Sequence, residues 1–293
     1  MTRPEGIVDF EPSPQLFPFE SRWLESSVGP VHYIDEGEGR PLLLMHGNPD
    51  WSFLYRKMIP GLQGRFRCIA PDYPGFGLSV HPTAPYAYTP REHAAVVGEL
   101  IDHLDLQDAV VMGQDWGGPI GLDVASRMPD RFSGLVMGNT WFWPADDITM
   151  RGFSLAMGSP PMQALIMRRN FFVTTIMKRM LQADLSTDEF AHYTEVVPTR
   201  ASRQGIAEFP RQIRGAGPWL AELEQRVNAT LTDRPTLLVQ GRKDPAFGSD
   251  RTLERWRSTF PDHRVLVLPE AGHYIQEDDP EAIVDAIVER FAA

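Results

Sequence analysis

Residues 112–118 read MGQDWGG, and Gly113-Gln114-Asp115-Trp116-Gly117 within them has the form small-x-nucleophile-x-small. The apolar run DAVVM precedes it, and GPIGLDVASRM, which can begin a helix, follows it. A sharp strand-to-helix turn lifts its central side chain clear of the sheet, and residues two positions to either side must be minimal to avoid neighbouring backbone. The spacing therefore predicts an elbow that presents Asp115. A carboxylate is already ionised at neutral pH, so it can act as a nucleophile without first losing a proton. An aspartate that merely caps the following helix is the competing explanation, and partners elsewhere in the chain must decide between them.

Two partners follow in the order nucleophile, acid, histidine that this architecture uses. LVQGRKDPAFG places Asp244 just past one apolar run, and LPEAGHYIQEDDP places His273 past the last one. Taken singly, Asp244 is a turn residue before Pro245 and His273 is a loop histidine. Jointly they fit catalysis, because open α/β sheets gather such groups at the carboxyl ends of their strands. His93 and His103 fall on a helical pattern without partners, and His46 is assigned to holding its loop.

Something must position these three side chains, and the chain supplies it as short apolar runs bounded by turn residues. They span 31–37, 41–47, 66–72, 108–115, 133–140, 235–241 and 264–273. LLLM and AVVM show no polar alternation, as expected of parallel strands buried on both faces, while HAAVVGELIDHLDL (93–106) reads as an amphipathic crossover helix. A mostly parallel α/β sheet follows. From Trp141 to Gly215 no strand pattern occurs. Apolar residues three and four apart, the Pro160-Pro161 break and Ser186 with Glu189 as a capping box predict an inserted helical cap. The domains are therefore a core of residues 1–140 and 216–293 and a cap of residues 141–215. Arg168, Arg169, Lys178 and Arg179 read as a solvated cap face, and the Pro-rich first twenty residues as an arm on the surface.

The 293 residues carry a net charge of -11, which offers no footprint for nucleic acid. Cys68 is the only cysteine, which excludes an intramolecular disulfide and fits a reducing compartment. No leader-like apolar segment opens the chain and no run of 18 apolar residues occurs, so a cytoplasmic protein without membrane contact is expected. No cluster of metal ligands or cofactor motif is present, and none is needed by a nucleophile, a base and water. A homo-oligomer is left open.

With these pieces in place, the chain resembles the α/β-hydrolase superfamily and, within it, the haloalkane dehalogenases. The resemblance rests on DEGEGRPLLLMHGNPDWSFLYRKMIP (35–60), APDYPGFGLS (70–79), GQDWGGPIGL (113–122), GNTWFWP (138–144), GRKDPAFG (241–248) and AGHYIQEDDP (271–280). HGNP combined with QDWGG is its most specific part. It implies an α/β-hydrolase core under a helical cap with a buried cavity between them, Asp115 as nucleophile, His273 as base, and halide donors at Asn48 and Trp116. The implied substrates are a small halogenated alkane and water, and the implied products an alcohol and a halide ion.

Chemistry agrees with an aspartate at this position. Attack on an sp3 carbon by serine would leave an ether, whereas attack by aspartate leaves an ester that water, activated by His273 with Asp244 orienting the ring, can cleave. The backbone N–H groups of Asn48 and Trp116 sit where an oxyanion hole would be. Some dehalogenases place the triad acid after the strand corresponding to GLVMG. Asn139 stands there and cannot carry a negative charge, which favours Asp244. Trp141 and Trp143 lie near the cap entrance with their direction open, and Trp143 is expected to pack on Pro144. An epoxide hydrolase would share the triad but needs cap phenols, and Tyr193 is the single tyrosine of residues 140–215. A non-catalytic hydrolase-like binding protein is the remaining alternative.

Overall fold

The computed structural model describes residues 4–83 and 85–292. Eight strands form one sheet: β1 (Arg22–Ser26), β2 (Gly29–Glu36), β3 (Arg40–Met45), β4 (Phe66–Pro71), β5 (Ala109–Asp115), β6 (Phe132–Thr140), β7 (Thr236–Gly241) and β8 (His263–Leu268). Their spatial order is β1-β2-β4-β3-β5-β6-β7-β8. β2 pairs antiparallel with β1 and β4, and all later pairings are parallel. Leu42–Met45 of β3 and Ala109–Met112 of β5 are wholly buried, which is why their sequences lack alternation.

Three details depart from the sequence pattern. β1 was not among the apolar runs, because Leu24 is its only buried residue. β8 ends at Leu268 rather than reaching His273, since Pro269 has no N–H to continue a ladder. The crossover helix spans Pro90–His103, beginning earlier than residue 93 because Thr89 and Glu92 form a reciprocal cap with Pro90 in the first turn.

Strand order decides where the site lies. From β3 the chain goes to β4 on one side, then crosses to β5 on the other side of β3, so the winding reverses between β3 and β5. Such a reversal opens a crevice at the carboxyl ends of the strands. Asn48 follows β3 there, and Asp115 ends β5.

Between β6 and β7 the chain leaves the sheet and forms helices Ile148–Met157, Pro160–Arg169, Thr187–Glu195 and Gln204–Gly215, with a wider π-helical turn at Phe172–Met177. Local signals start them: the Asp147 carboxylate accepts the Met150 N–H at 2.8 Å, and Ser186 and Glu189 cap reciprocally. Arg168, Arg169, Lys178 and Arg179 are exposed. Helix Gly217–Thr230 returns to pack on helix Gly117–Arg127 against the sheet.

A buried ion network moors these helices to the sheet. Arg56 bonds Glu189 at 2.7 Å and also Glu277, while Lys57 stands 2.9 Å from Glu277 and the Tyr193 hydroxyl donates to it. The Glu277 side chain is fully buried, and Arg56, Lys57 and the Tyr193 hydroxyl together offset its charge. The N-terminal arm lies against the same region, with the Ser13 N–H on His192 Nε2 at 2.9 Å and Phe17 packed on Trp51. Among the described residues no helix is long and apolar enough to cross a membrane.

Candidate active site

Asp115 ends β5 at φ 48°, in the left-handed region that residues with a Cβ seldom occupy. The Thr140 hydroxyl donates to its carbonyl oxygen at 2.6 Å and helps hold that conformation. Close packing explains the flanking glycines. A Cβ on Gly117 would lie 2.0 Å from the Met45 carbonyl oxygen, and one on Gly113 would lie 2.6 Å from the Gly117 backbone. The strand-to-helix elbow read from the sequence is thus present, with helix Gly117–Arg127 starting two residues after Asp115.

The other two candidates converge on it. His273 Nδ1 stands 2.8 Å from Asp244 Oδ2, and the ring turns its Nε2 toward Asp115 Oδ1 at 3.9 Å. With Asp244 accepting at Nδ1, the lone pair of a neutral ring lies on Nε2, the side facing Asp115. Asn139 fixes the spacing of the two loops: its Nδ2 donates to Gly272 O at 2.7 Å, and its Oδ1 accepts the Gly241 N–H at 2.9 Å. Gln114 Nε2 donates to His273 O at 3.0 Å, joining the elbow to the histidine loop. Asp278 accepts the N–H groups of Gly272, Gln182 and Ala183 at 2.7, 2.9 and 2.8 Å, so that loop is also tied to the inserted helices.

The two Asp115 oxygens differ. Oδ2 accepts the Asn48 backbone N–H at 2.8 Å, and the Trp116 N–H also bonds the carboxylate. Oδ1 faces His273. Burial raises the Asp115 pKa, opposed by His273 and these N–H groups. Burial pushes His273 down, but Asp244, Asp115 and Asp50 outweigh it and lift the pKa to about 9. Asp115 and His273 therefore act on each other's charge and titrate as a unit.

A cavity of about 150 Å³ opens at this point. Asn48, Asp115, Trp116 and His273 form its polar end, and Met150, Phe153, Phe172 and Ile213 close it from the inserted helices. Trp116 is stacked on Phe209 and meets Trp141 edge to face. The Asn48 amide lines the cavity, with Nδ2 at 3.4 Å from Ile206 O and Oδ1 without a partner. Among the described residues no group of three His, Cys, Asp or Glu is placed to hold a metal ion.

All five residues singled out from the sequence, Asp115, His273, Asp244, Asn48 and Trp116, lie together at this cavity or behind it. His46 is in the loop role: its Nδ1 bonds Gly47 O at 2.8 Å, its Nε2 accepts the Tyr73 N–H, and burial lowers its pKa to about 4. Trp141 lines the cavity, whereas Trp143 packs on Phe142 and Trp256 and under the Arg255 guanidinium. Asn139, Asp278 and Glu277 were missed as organisers of the site. Their side chains bond backbone or charges brought near only by the fold, and no local spacing signals that.

The chain matches the family described as alpha/beta hydrolase fold over residues 40–280. It is 54% identical over 284 residues to haloalkane dehalogenase 2 of Mycobacterium tuberculosis, covering 97% of this chain and 99% of that one. A cis-3-alkyl-4-alkyloxetan-2-one decarboxylase of Shewanella oneidensis is 30% identical over 291 residues, covering 93% and 88% respectively. Among solved structures, haloalkane dehalogenase DbeA from Bradyrhizobium elkani superimposes with a TM-score of 0.85 at 27% identity, covering 92% of this chain and 97% of that one.

Proposed function

Because the chain belongs to the haloalkane dehalogenases of the α/β-hydrolase superfamily, hydrolases that act on carbon–halide bonds, we propose that Asp115, His273 and Asp244 carry this reaction through a covalent alkyl ester. One observation supports this above the rest: an aspartate at the elbow faces an apolar cavity while a histidine oriented by a second aspartate stands 3.9 Å away.

In the proposed first step Asp115 Oδ1 attacks the carbon that bears the halogen, from the side opposite the leaving group. The carbon–oxygen bond forms as the carbon–halogen pair departs with the halide. Charge grows on the halogen, so N–H donors fixed in advance stabilise the transition state more than the ground state. Trp116 Nε1–H and the Asn48 amide are the proposed donors.

Ester formation removes the Asp115 charge, one of the influences holding the His273 pKa up, so the imidazole then gives up its proton more readily. Neutral His273 takes a proton from water as the water oxygen attacks Asp115 Cγ. The carbonyl oxygen at the Oδ2 position already lies against the Asn48 N–H, and the Trp116 N–H also bonds this carboxyl group, where the oxyanion develops. Collapse of the intermediate breaks the bond between Cγ and the alkoxy oxygen, which takes the proton from His273 and leaves as the alcohol; the proton left on the Asp115 carboxyl then passes to the imidazole and the carboxylate is restored. The helices of residues 141–215 act as a cap that excludes bulk water, and the remainder as the core.

The epoxide-opening alternative needs a free phenol from the cap. Tyr193, its only candidate there, spends its hydroxyl on Glu277. Parallel assays of bromide release from 1-bromobutane and diol formation from 1,2-epoxybutane separate the two. Diol without bromide would overturn the dehalogenase assignment, and binding without turnover of either would favour a non-catalytic protein.

A further inference from the structure

Beside Asn48 and Trp116, the same cavity holds a buried N–H donor without a partner. Trp141 lines the cavity and is 1% exposed, and its Nε1–H is closed to solvent with no acceptor among the described residues. Other buried indoles of this chain do find acceptors: Trp256 donates to Thr140 O at 3.0 Å and Trp51 to His192 O at 3.2 Å. Buried Trp N–H groups usually have such a partner, and an orphaned buried donor is costly. Trp141 is held in this state by its neighbours. Its ring stacks on Phe247 at 5.3 Å and 13° and meets Trp116 at 4.7 Å and 65°, and both neighbours line the cavity.

We propose that Trp141 donates its Nε1–H to the departing group, making a three-donor site with Asn48 and Trp116. This rests on the dehalogenase assignment and extends it. No proton is transferred: the electron pair of the breaking bond goes to the leaving atom, and all three N–H bonds stay intact. Three donors suit a diffuse anion such as bromide or iodide, whose surface they can share, better than a compact one that two donors already surround. Trp141 is thereby a determinant of leaving-group preference and of product retention.

The test measures product inhibition of 1-bromobutane turnover by bromide and by 1-butanol, in the parent and in Trp141→Phe. A second form carries 3-benzothienylalanine at position 141, which keeps the two-ring shape and replaces only the N–H by sulfur. Hydrogen bonds to charged groups are worth enough that loss of one should raise the bromide inhibition constant about tenfold or more, with butanol inhibition unchanged. Trp143→Phe, altered at a ring packed on Trp256 and Arg255, should match the parent. A bromide constant within twofold of the parent in the benzothienyl form would overturn the proposal, as would equal weakening of bromide and butanol, which marks a role in shape alone. If the parent enzyme releases no bromide, the dehalogenase assignment itself has failed and the third donor falls with it. Bromide release by the parent with unchanged inhibition in the variants removes only the third donor.

Discussion

His273 Nε2 stands 3.9 Å from Asp115 Oδ1, near enough for the two charges to act on each other and too far for a hydrogen bond. The oxygen proposed to attack the substrate is therefore not tied up by the histidine. Asp115→Ala removes the atom that would bond to substrate. It should abolish bromide release while circular dichroism remains that of the parent. Release above a trace would sink the nucleophile assignment.

His273→Phe should alkylate and then stall, since general-base assistance is worth about 10² to 10⁴ in rate. Intact-mass spectrometry after mixing with 1-bromobutane should show a butyl adduct that maps to Asp115. In the parent, a single turnover in H₂¹⁸O should place the heavy oxygen in Asp115 and none in the alcohol, because water attacks Cγ. Label in the first-turnover alcohol would instead mean direct attack of water on the substrate carbon.

Trp116→Phe keeps most of the ring volume and deletes one of the donors proposed for the departing halide. Loss of such a donor in a closed site commonly costs about 10² to 10³ in rate. The damage should fall on carbon–halogen cleavage, so Trp116→Phe combined with His273→Phe should accumulate little adduct at short times. Rapid-quench mass spectrometry reads this directly, and adduct formation at the His273→Phe rate would remove Trp116 from the leaving-group site.

Acid should loosen the attachment between the inserted helices and the sheet. Burial alone would raise the Glu189 carboxyl, but Ser186, Arg56 and Lys57 outweigh it and lower the pKa to about 2 from the ordinary 4.5. A depressed carboxylate contributes stability that is present above its unfolded pKa and is lost as pH falls through the folded one. Glu189→Gln should therefore lower Tm by about 2 to 6 °C at pH 6, a difference that shrinks as pH falls from about 4.5 toward 2. An equal deficit at both ends of that window would show the effect to be packing rather than charge.

The sheet was legible in the sequence wherever burial on both faces wrote an unbroken apolar run, as in Leu42–Met45 and Ala109–Met112. β1 was not, because an edge strand with one buried residue carries almost no such signal. The site was legible through Asp115, Asp244 and His273, whose identities follow from chemistry and whose order along the chain is diagnostic. Asn139 illustrates what was not. The sequence shows that it cannot serve as the acid, but only the fold brings Gly241 and Gly272 within its reach. Trp141 is a similar case, since its inward direction depends on Phe247, more than a hundred residues away.

One carboxylate joins the roof of the cavity to its working parts. Asp278 grips the backbone of Gln182 and Ala183 with one oxygen and that of Gly272 with the other, and the next residue, His273, hangs its own N–H on Met180 O at 3.3 Å. If the roof lifts at this corner, either the histidine loop follows it or these bonds break. The first would carry the imidazole away from Asp115, whereas in the second Asp244, Gln114 and Asn139 would still hold it. The inserted helices and the loop of His273 thus share one fastening, and the helices cannot move at this corner without disturbing the bonds that seat that loop.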